Sequence, residues 1–284
     1  MEIKKVGVVG CGLMGGGIAQ TAAQAGYPTV VREINDELLS RGVANIKTSL
    51  SRLVNRGTIG QADADAAMGR LTPTTALADF KDCDIVIEAI IENIGEKRKL
   101  FAELDNICKA ETIFASNTSS MTIIEIAAAT KRPERVGGLH FFNPVPLMKL
   151  VEVVKTLVTS DETIATLREF GNSLGKTPIL APDTTGFVVN RLLVPYLLDA
   201  ARVLEAGLAS KEDIDQGMML GCSFPIGPLA LLDLIGIDTI YYVGLQMFDE
   251  FRETRFSPPS ILKRMVLAGQ FGRKSGKGFY EYRK

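Results

Sequence analysis

The sequence predicts an α/β domain over residues 1–185, built on a mostly parallel sheet, followed by an all-helical domain over 186–284. Three observations carry that prediction. Short β-rich runs alternate with helical patterns through the first two thirds of the chain, as they do where crossover helices join parallel strands. A glycine-rich turn, Gly10-Cys11-Gly12-Leu13-Met14-Gly15, separates the first such run from the first such helix. Past Ala181-Pro182-Asp183-Thr184-Thr185-Gly186 the β-rich alternation stops, and helical spacing continues to about Gly269.

In chain order, strands are expected at 5–9, 29–32, 85–89, 112–115, 136–141 and 150–154. Helices are expected between and after them at 14–25, 36–56, 96–108, 123–130 and 162–174. Asp161 is a suitable N-cap for the last of these and Gly175 a suitable stop. In the second part the spacing predicts helices at 187–205, with Pro195 kinking or straining it, and at 211–221, 228–251 and 259–268. A basic turn, Arg273-Lys274-Ser275-Gly276-Lys277, then leads to a short strand at 278–280.

Composition excludes several classes. A net charge of −1 leaves no electrostatic footprint for nucleic acid. Cys11, Cys83, Cys108 and Cys222 are scattered without paired spacing, which argues against a disulfide framework or a zinc site and fits a reducing compartment. The apolar part of the start is very short, and cleavage after Ala19 would destroy the glycine turn. The stretch 187–204, the best membrane candidate, is interrupted by Asn190, Arg191, Asp199 and Arg202. The expectation is a cytoplasmic protein without a membrane partner.

In the glycine turn each glycine has its own task. Gly10 permits a tight turn, Gly12 lets the backbone approach a pyrophosphate, and Gly15 allows close packing of helix on strand. The amides at the helix start, around Leu13 and Met14, suit phosphates. Glu33 ends the second strand, 23 residues past Gly10, where a carboxylate accepts hydrogen bonds from an adenosine ribose. Together these predict a Rossmann-like dinucleotide site. Glu33 repels a 2′-phosphate and favours NAD, whereas Arg32 beside it suits NADP. Asn117, just past the strand at 112–115, either faces the ligand crevice or caps the following helix.

His140 is the only histidine, and Glu152 follows twelve residues later within Leu150-Val151-Glu152-Val153-Val154. An imidazole that titrates near neutrality and a carboxylate that orients it are the parts of a general acid–base pair. The bland alternatives are a hydrogen-bonded core histidine and a glutamate on the solvated face of an edge strand.

The chain resembles the 3-hydroxyacyl-CoA dehydrogenases, especially the bacterial 3-hydroxybutyryl-CoA dehydrogenases. The resemblance runs through the glycine turn, Ser116-Asn117-Thr118-Ser119-Ser120, His140-Phe141-Phe142-Asn143-Pro144 and Thr185-Gly186-Phe187-Val188-Val189-Asn190-Arg191. It continues through Pro225-Ile226-Gly227-Pro228-Leu229 to Gly272-Arg273-Lys274-Ser275-Gly276-Lys277-Gly278-Phe279-Tyr280. It implies a Rossmann-like domain, a helical domain that forms a homodimer, and hydride transfer between NAD(P) and a short acyl-CoA.

The implied dyad is His140 with Glu152. Ser119 contacts the substrate hydroxyl, Asn143 and Asn190 complete the site, and Glu92, Lys97 and Asn117 lie toward the nicotinamide. The helix carrying Arg52 and Arg56 meets the coenzyme A phosphates. Three positions depart from the family: Glu33 stands where aspartate is more usual, Arg52 and Arg56 where lysines occur, and Ala230 where an acidic residue is common. Rival readings are a dehydrogenase of free β-hydroxyacids, expected to use a lysine base, and a dinucleotide-binding protein without turnover.

Overall fold

The structure, a computed structural model, describes residues 1–282. The chain divides into two compact units, Met1–Thr184 and Thr185–Lys284.

Unit 1 alternates strand and helix: β1 (Val6–Val9), α1 (Leu13–Gln24), β2 (Thr29–Arg32), α2 (Asp36–Asn55), α3 (Gln61–Gly69), β3 (Leu71–Thr74), β4 (Ile85–Glu88) and α4 (Ile94–Ile107). It continues with β5 (Ile113–Ser116), α5 (Ile123–Ala127), β6 (Val136–Phe141), β7 (Leu150–Lys155), α6 (Asp161–Ser173) and β8 (Thr177–Pro182). The sheet order is β3-β2-β1-β4-β5-β6-β7-β8, and every pairing is parallel except β6 with β7. Every residue of β1, β4, β5 and β6 is buried, because helices cover both faces. Strand order reverses between β1 and β4, and such a switch point opens a crevice at the strands' C-terminal ends.

Six strands and four helices of this unit lie within about two residues of expectation, and α5, expected over 123–130, ends at Ala127. Three elements are additional. Strands β3 and β8 are the sheet edges and contain Pro73, Pro178 and Pro182, residues that weaken a strand signal but are tolerated where no ladder bond is needed. Helix α3 packs on the core only through Ala64, Ala67 and Met68, a stripe of mostly small residues that gives a weak helical signal. Ser160, not Asp161, caps α6: its side chain accepts from the Thr163 amide, and Asp161 is the first helical residue.

Unit 2 is helical: α7 (Val189–Glu205), α8 (Lys211–Cys222), α9 (Pro228–Ile235), α10 (Ile237–Phe251) and α11 (Ser260–Leu267). Its core gathers Val194, Leu197, Leu198, Leu232, Ile240 and Met247, and α7 continues through Pro195. The single helix expected over 228–251 is two, bent by 94° at Gly236, whose φ of +113° no helix accommodates. Nor is 278–280 a strand. Two of its amides go to the buried carboxylate of Asp233, which accepts from Phe279 N and Tyr280 N at 2.9 Å, and the Gly278 amide goes to the Tyr280 carbonyl. At Ala230 the amide is capped by Asp215, as is that of Leu229, so the start of α9 has its anion without an acidic side chain at 230.

Among the described residues no single helix is long and apolar enough to cross a membrane. The bent pair α9–α10 meets the length and composition, but its Leu229, Leu232, Ile237 and Met247 form the core of unit 2.

Candidate active site

The turn after β1 has the geometry its three glycines suggest. Gly10 has φ +99°, and a Cβ on it would stand 2.4 Å from the carbonyl oxygen of Ala89. A Cβ on Gly15 would meet the Gly10 oxygen at 1.9 Å. Gly12, the N-cap of α1, has nothing within 4 Å of that position and no side chain capping the helix. Space and unshielded backbone therefore coincide at the start of α1, next to exposed Leu13 and half-buried Met14, and a pyrophosphate needs both.

Glu33, at the end of β2, bends back to this turn. One carboxylate oxygen accepts from Cys11 N at 2.8 Å and the other from Ile34 N at 3.0 Å. Glu33 thus fixes the turn from behind and presents a carboxylate beside it. Arg32 donates its Nε to the Thr75 carbonyl at 3.2 Å. Buried in the turn, the Cys11 thiol is pushed up to about 11, first by desolvation and then by Glu33.

Across the crevice lies a buried charged cluster. Lys97 of α4 is only 1% exposed, and its ammonium sits 2.6 Å from Glu88 and 3.1 Å from Glu92. Ser116 donates to the second oxygen of Glu88 at 2.6 Å, and Thr118 and Ser120 both donate to Glu92. Burial disfavours the charged form of Glu92, but the Lys97 ammonium and these hydrogen bonds outweigh it and hold the carboxyl below its usual range. Two of the three residues expected toward the nicotinamide stand here: Glu92 keeps a side chain 40% exposed, whereas Lys97 is enclosed between carboxylates.

Asn117 does not cap α5. Its side-chain oxygen accepts from Phe141 N at 2.9 Å, tying the β5 exit to the end of β6. The α5 amides of Ile123 and Ile124 go to Asp183 instead. Burial raises the Asp183 carboxyl, although both of those bonds favour its ionised form. Ser119 is half-buried in the loop between β5 and α5.

His140 stands near the C-terminal end of β6, at the same sheet edge as the glycine turn. The antiparallel register pairs it directly with Glu152 of β7, and His140 Nδ1 lies 2.6 Å from Glu152 Oε2. The spacing of twelve residues in sequence is the return path of a hairpin. Strand β7 lies inside the sheet between β6 and β8, so Glu152 is wholly buried rather than on a solvated edge. A carboxylate on Nδ1 fixes the proton there and makes Nε2 the basic nitrogen.

The segment after His140 is pinned by a residue that the sequence reasoning missed. Lys176, largely buried, donates to the carbonyls of Val145 at 2.5 Å and Met148 at 2.8 Å. Desolvation and then Lys149 lower its pKa. Asn143, just before Pro144, is exposed.

The remaining candidates lie on other elements. Arg52 is exposed in the last turn of α2, and Arg56 is the C-cap, its amide bonded to the Arg52 carbonyl. Asn190 and Arg191 open α7 in unit 2, where the Arg191 guanidinium lies over Phe251 at 3.4 Å from the ring centroid. A cavity of about 480 Å³ lined by Ile124, Leu157, Leu180 and Asp183 contains none of the candidate residues. No cluster among the described residues could hold a metal ion.

A doubly wound sheet with a glycine turn at its switch point marks a dinucleotide-binding protein. The chain belongs to the 3-hydroxyacyl-CoA dehydrogenase family: residues 5–184 match that family's NAD-binding domain and 186–282 its C-terminal domain. It is 50% identical over 282 residues to a 3-hydroxybutyryl-CoA dehydrogenase of Mycobacterium tuberculosis, covering 99% of both chains. The solved structure of M. tuberculosis FadB2 superposes with a TM-score of 0.98 at 49% identity, over 100% of both chains. That of (S)-3-hydroxybutyryl-CoA dehydrogenase from Ralstonia eutropha gives 0.96 at 46%, again over 100% of both.

Proposed function

We propose that the chain interconverts (S)-3-hydroxybutyryl-CoA and acetoacetyl-CoA by hydride transfer with NAD, using His140 and Glu152 as its general acid–base dyad. The observation that carries this is the buried His140–Glu152 pair, at the sheet edge that also holds the glycine turn. The names of the M. tuberculosis and R. eutropha relatives support the short acyl chain.

When bound, NAD supplies the hydride acceptor. The protein supplies the proton's destination. His140 takes the 3-hydroxyl proton on Nε2 while Glu152 holds Nδ1–H and stabilises the imidazolium. Run in reverse, His140 returns the proton to the substrate oxygen. That oxygen is assigned to Ser119 and Asn190, and Asn143 is assigned to bracing the dyad and the thioester end.

For the cofactor, the amides at Gly12, Leu13 and Met14 face the pyrophosphate, Glu33 the ribose, and Glu92 and Asn117 the nicotinamide side, with Lys97 acting through Glu92. Glu33 beside the turn, together with Arg32 engaged on Thr75, supports NAD over NADP. Arg52 and Arg56 are assigned to the coenzyme A phosphates, where guanidinium forks suit the oxygens. Residues 1–185 hold the cofactor and 186–284 serve substrate binding and dimerisation. Exposed Leu220, Leu234, Tyr242 and Leu267 suit a homodimer contact, and the cytoplasm is the expected compartment.

The test is to mix the protein with acetoacetyl-CoA and either NADH or NADPH and follow the absorbance of the reduced cofactor. Oxidation of NADH in preference to NADPH is expected. No oxidation of either sinks the proposal, and equal rates with free acetoacetate favour the free-acid rival.

A further inference from the structure

Glu88 has no task in the scheme above, yet its carboxylate is completely buried at the switch point, where β4 meets both β1 and β5. Three donors from three chain segments converge on it: Ile90 N at 2.7 Å, Lys97 Nζ at 2.6 Å and Ser116 Oγ at 2.6 Å. Enclosing a carboxylate is costly unless its oxygens are satisfied, and here both are.

Each donor belongs to a wall of the cofactor crevice. The Ile90 amide fixes the β4 exit, and the neighbouring Ala89 carbonyl is the surface against which Gly10 packs. Lys97 carries the ion pair on to Glu92, the cluster's exposed carboxylate. Ser116 in turn accepts from Thr118 N at 3.2 Å, and the Thr118 hydroxyl donates to Glu92. The β4 exit, the start of α4 and the β5 exit are therefore set by one side chain.

We propose that Glu88 is a positioning residue for the dinucleotide: it holds these three walls in one arrangement and aims Glu92 through Lys97. The inference rests on the NAD reading and adds a residue that never needs to touch the cofactor. Its signature is a loss of cofactor affinity with the acid–base chemistry intact.

The test compares Glu88→Gln, Glu88→Ala and the milder Ser116→Ala by NADH fluorescence titration and steady-state kinetics. Glutamine keeps the shape but removes the charge and one acceptor, so the Kd for NADH is expected to rise about tenfold. Alanine raises it further and Ser116→Ala raises it less. The KM for acetoacetyl-CoA and the kcat at saturating NADH stay at the values of the unmodified protein. An unchanged Kd in Glu88→Gln overturns the proposal, as does a parallel loss in all three constants, which marks a general structural role. If neither Glu88 variant folds, an unchanged Kd in Ser116→Ala overturns it. A protein that in unmodified form binds no NADH overturns both this proposal and the functional reading, whereas unchanged affinity in the variants of a binding enzyme overturns this one alone.

Discussion

Strand β4 is flanked by buried carboxylates of the same design. Asp84, immediately before it, accepts from the Lys4 and Lys5 amides at 2.7 and 2.8 Å and from Lys109 Nζ at 2.5 Å. Glu88, at its end, likewise accepts from one lysine, one backbone amide and one further donor. The chemistry is nearly identical, but the surroundings are not. Asp84 ties the chain start and the α4–β5 connection to the N-terminal edge of the sheet, whereas Glu88 stands at the C-terminal edge, where strand order reverses. In an open α/β sheet only the second edge forms a ligand crevice. What separates a stabilising ion cluster from a functional one here is position on the sheet, not composition.

That contrast predicts a graded set of outcomes. The largest effect is expected at the C-terminal edge of β6: His140→Gln should lower kcat by on the order of a hundredfold or more, with NADH affinity unchanged by titration. Near-normal turnover would mean that another group is the base. Glu152→Gln should lower kcat by about tenfold to a hundredfold, because an amide holds Nδ1–H without stabilising the imidazolium. At the glycine turn, Glu33→Ala removes the acceptor of the Cys11 amide and should raise the Kd for NADH about tenfold while leaving saturated turnover intact.

The smallest kinetic effect is expected at the opposite edge. Asp84→Asn should leave every kinetic constant unchanged and lower the thermal midpoint. Burial opposes ionisation of Asp84, but Lys109 and the Lys4 and Lys5 amides win and lower its pKa. The stability it contributes is therefore complete above the ordinary aspartate value, about pH 4, and is lost as pH falls through the depressed one. The variant should flatten that acid limb in thermal melts. A change in NADH affinity instead would break the comparison between the two edges.

The two strands that carry His140 and Glu152 are legible in the sequence, as an apolar run ending in His140 and an alternating run centred on Glu152; their antiparallel register, which brings the two side chains together, is visible only in the fold. Glu33 is legible because the end of β2 lies beside the turn after β1. Glu88 is not obvious, although a signal exists. It interrupts Ile85-Val86-Ile87-Glu88-Ala89-Ile90-Ile91, and a charge inside a strand covered on both faces must have partners waiting. Those partners, Lys97 and Ser116, come from separate elements, so no local pattern announces them. The enclosure of Lys97 is equally tertiary. The break at Gly236 is hidden by the continuous apolar character of the sequence on either side, which serves two buried helices as well as one.

The hairpin that joins His140 to Glu152 has a consequence for how such an enzyme diversifies. The His140–Glu152 pair is set by rungs of a ladder, and its connection, 142–149, is lashed separately by Lys176 through the carbonyls of Val145 and Met148. Past Asn143, residues can be exchanged or inserted in that connection without changing the ladder register that sets the imidazole against its carboxylate. Proton chemistry and the shape of whatever lies against the connection are thus inherited as separate modules, and selection can rewrite one while the other stays in register.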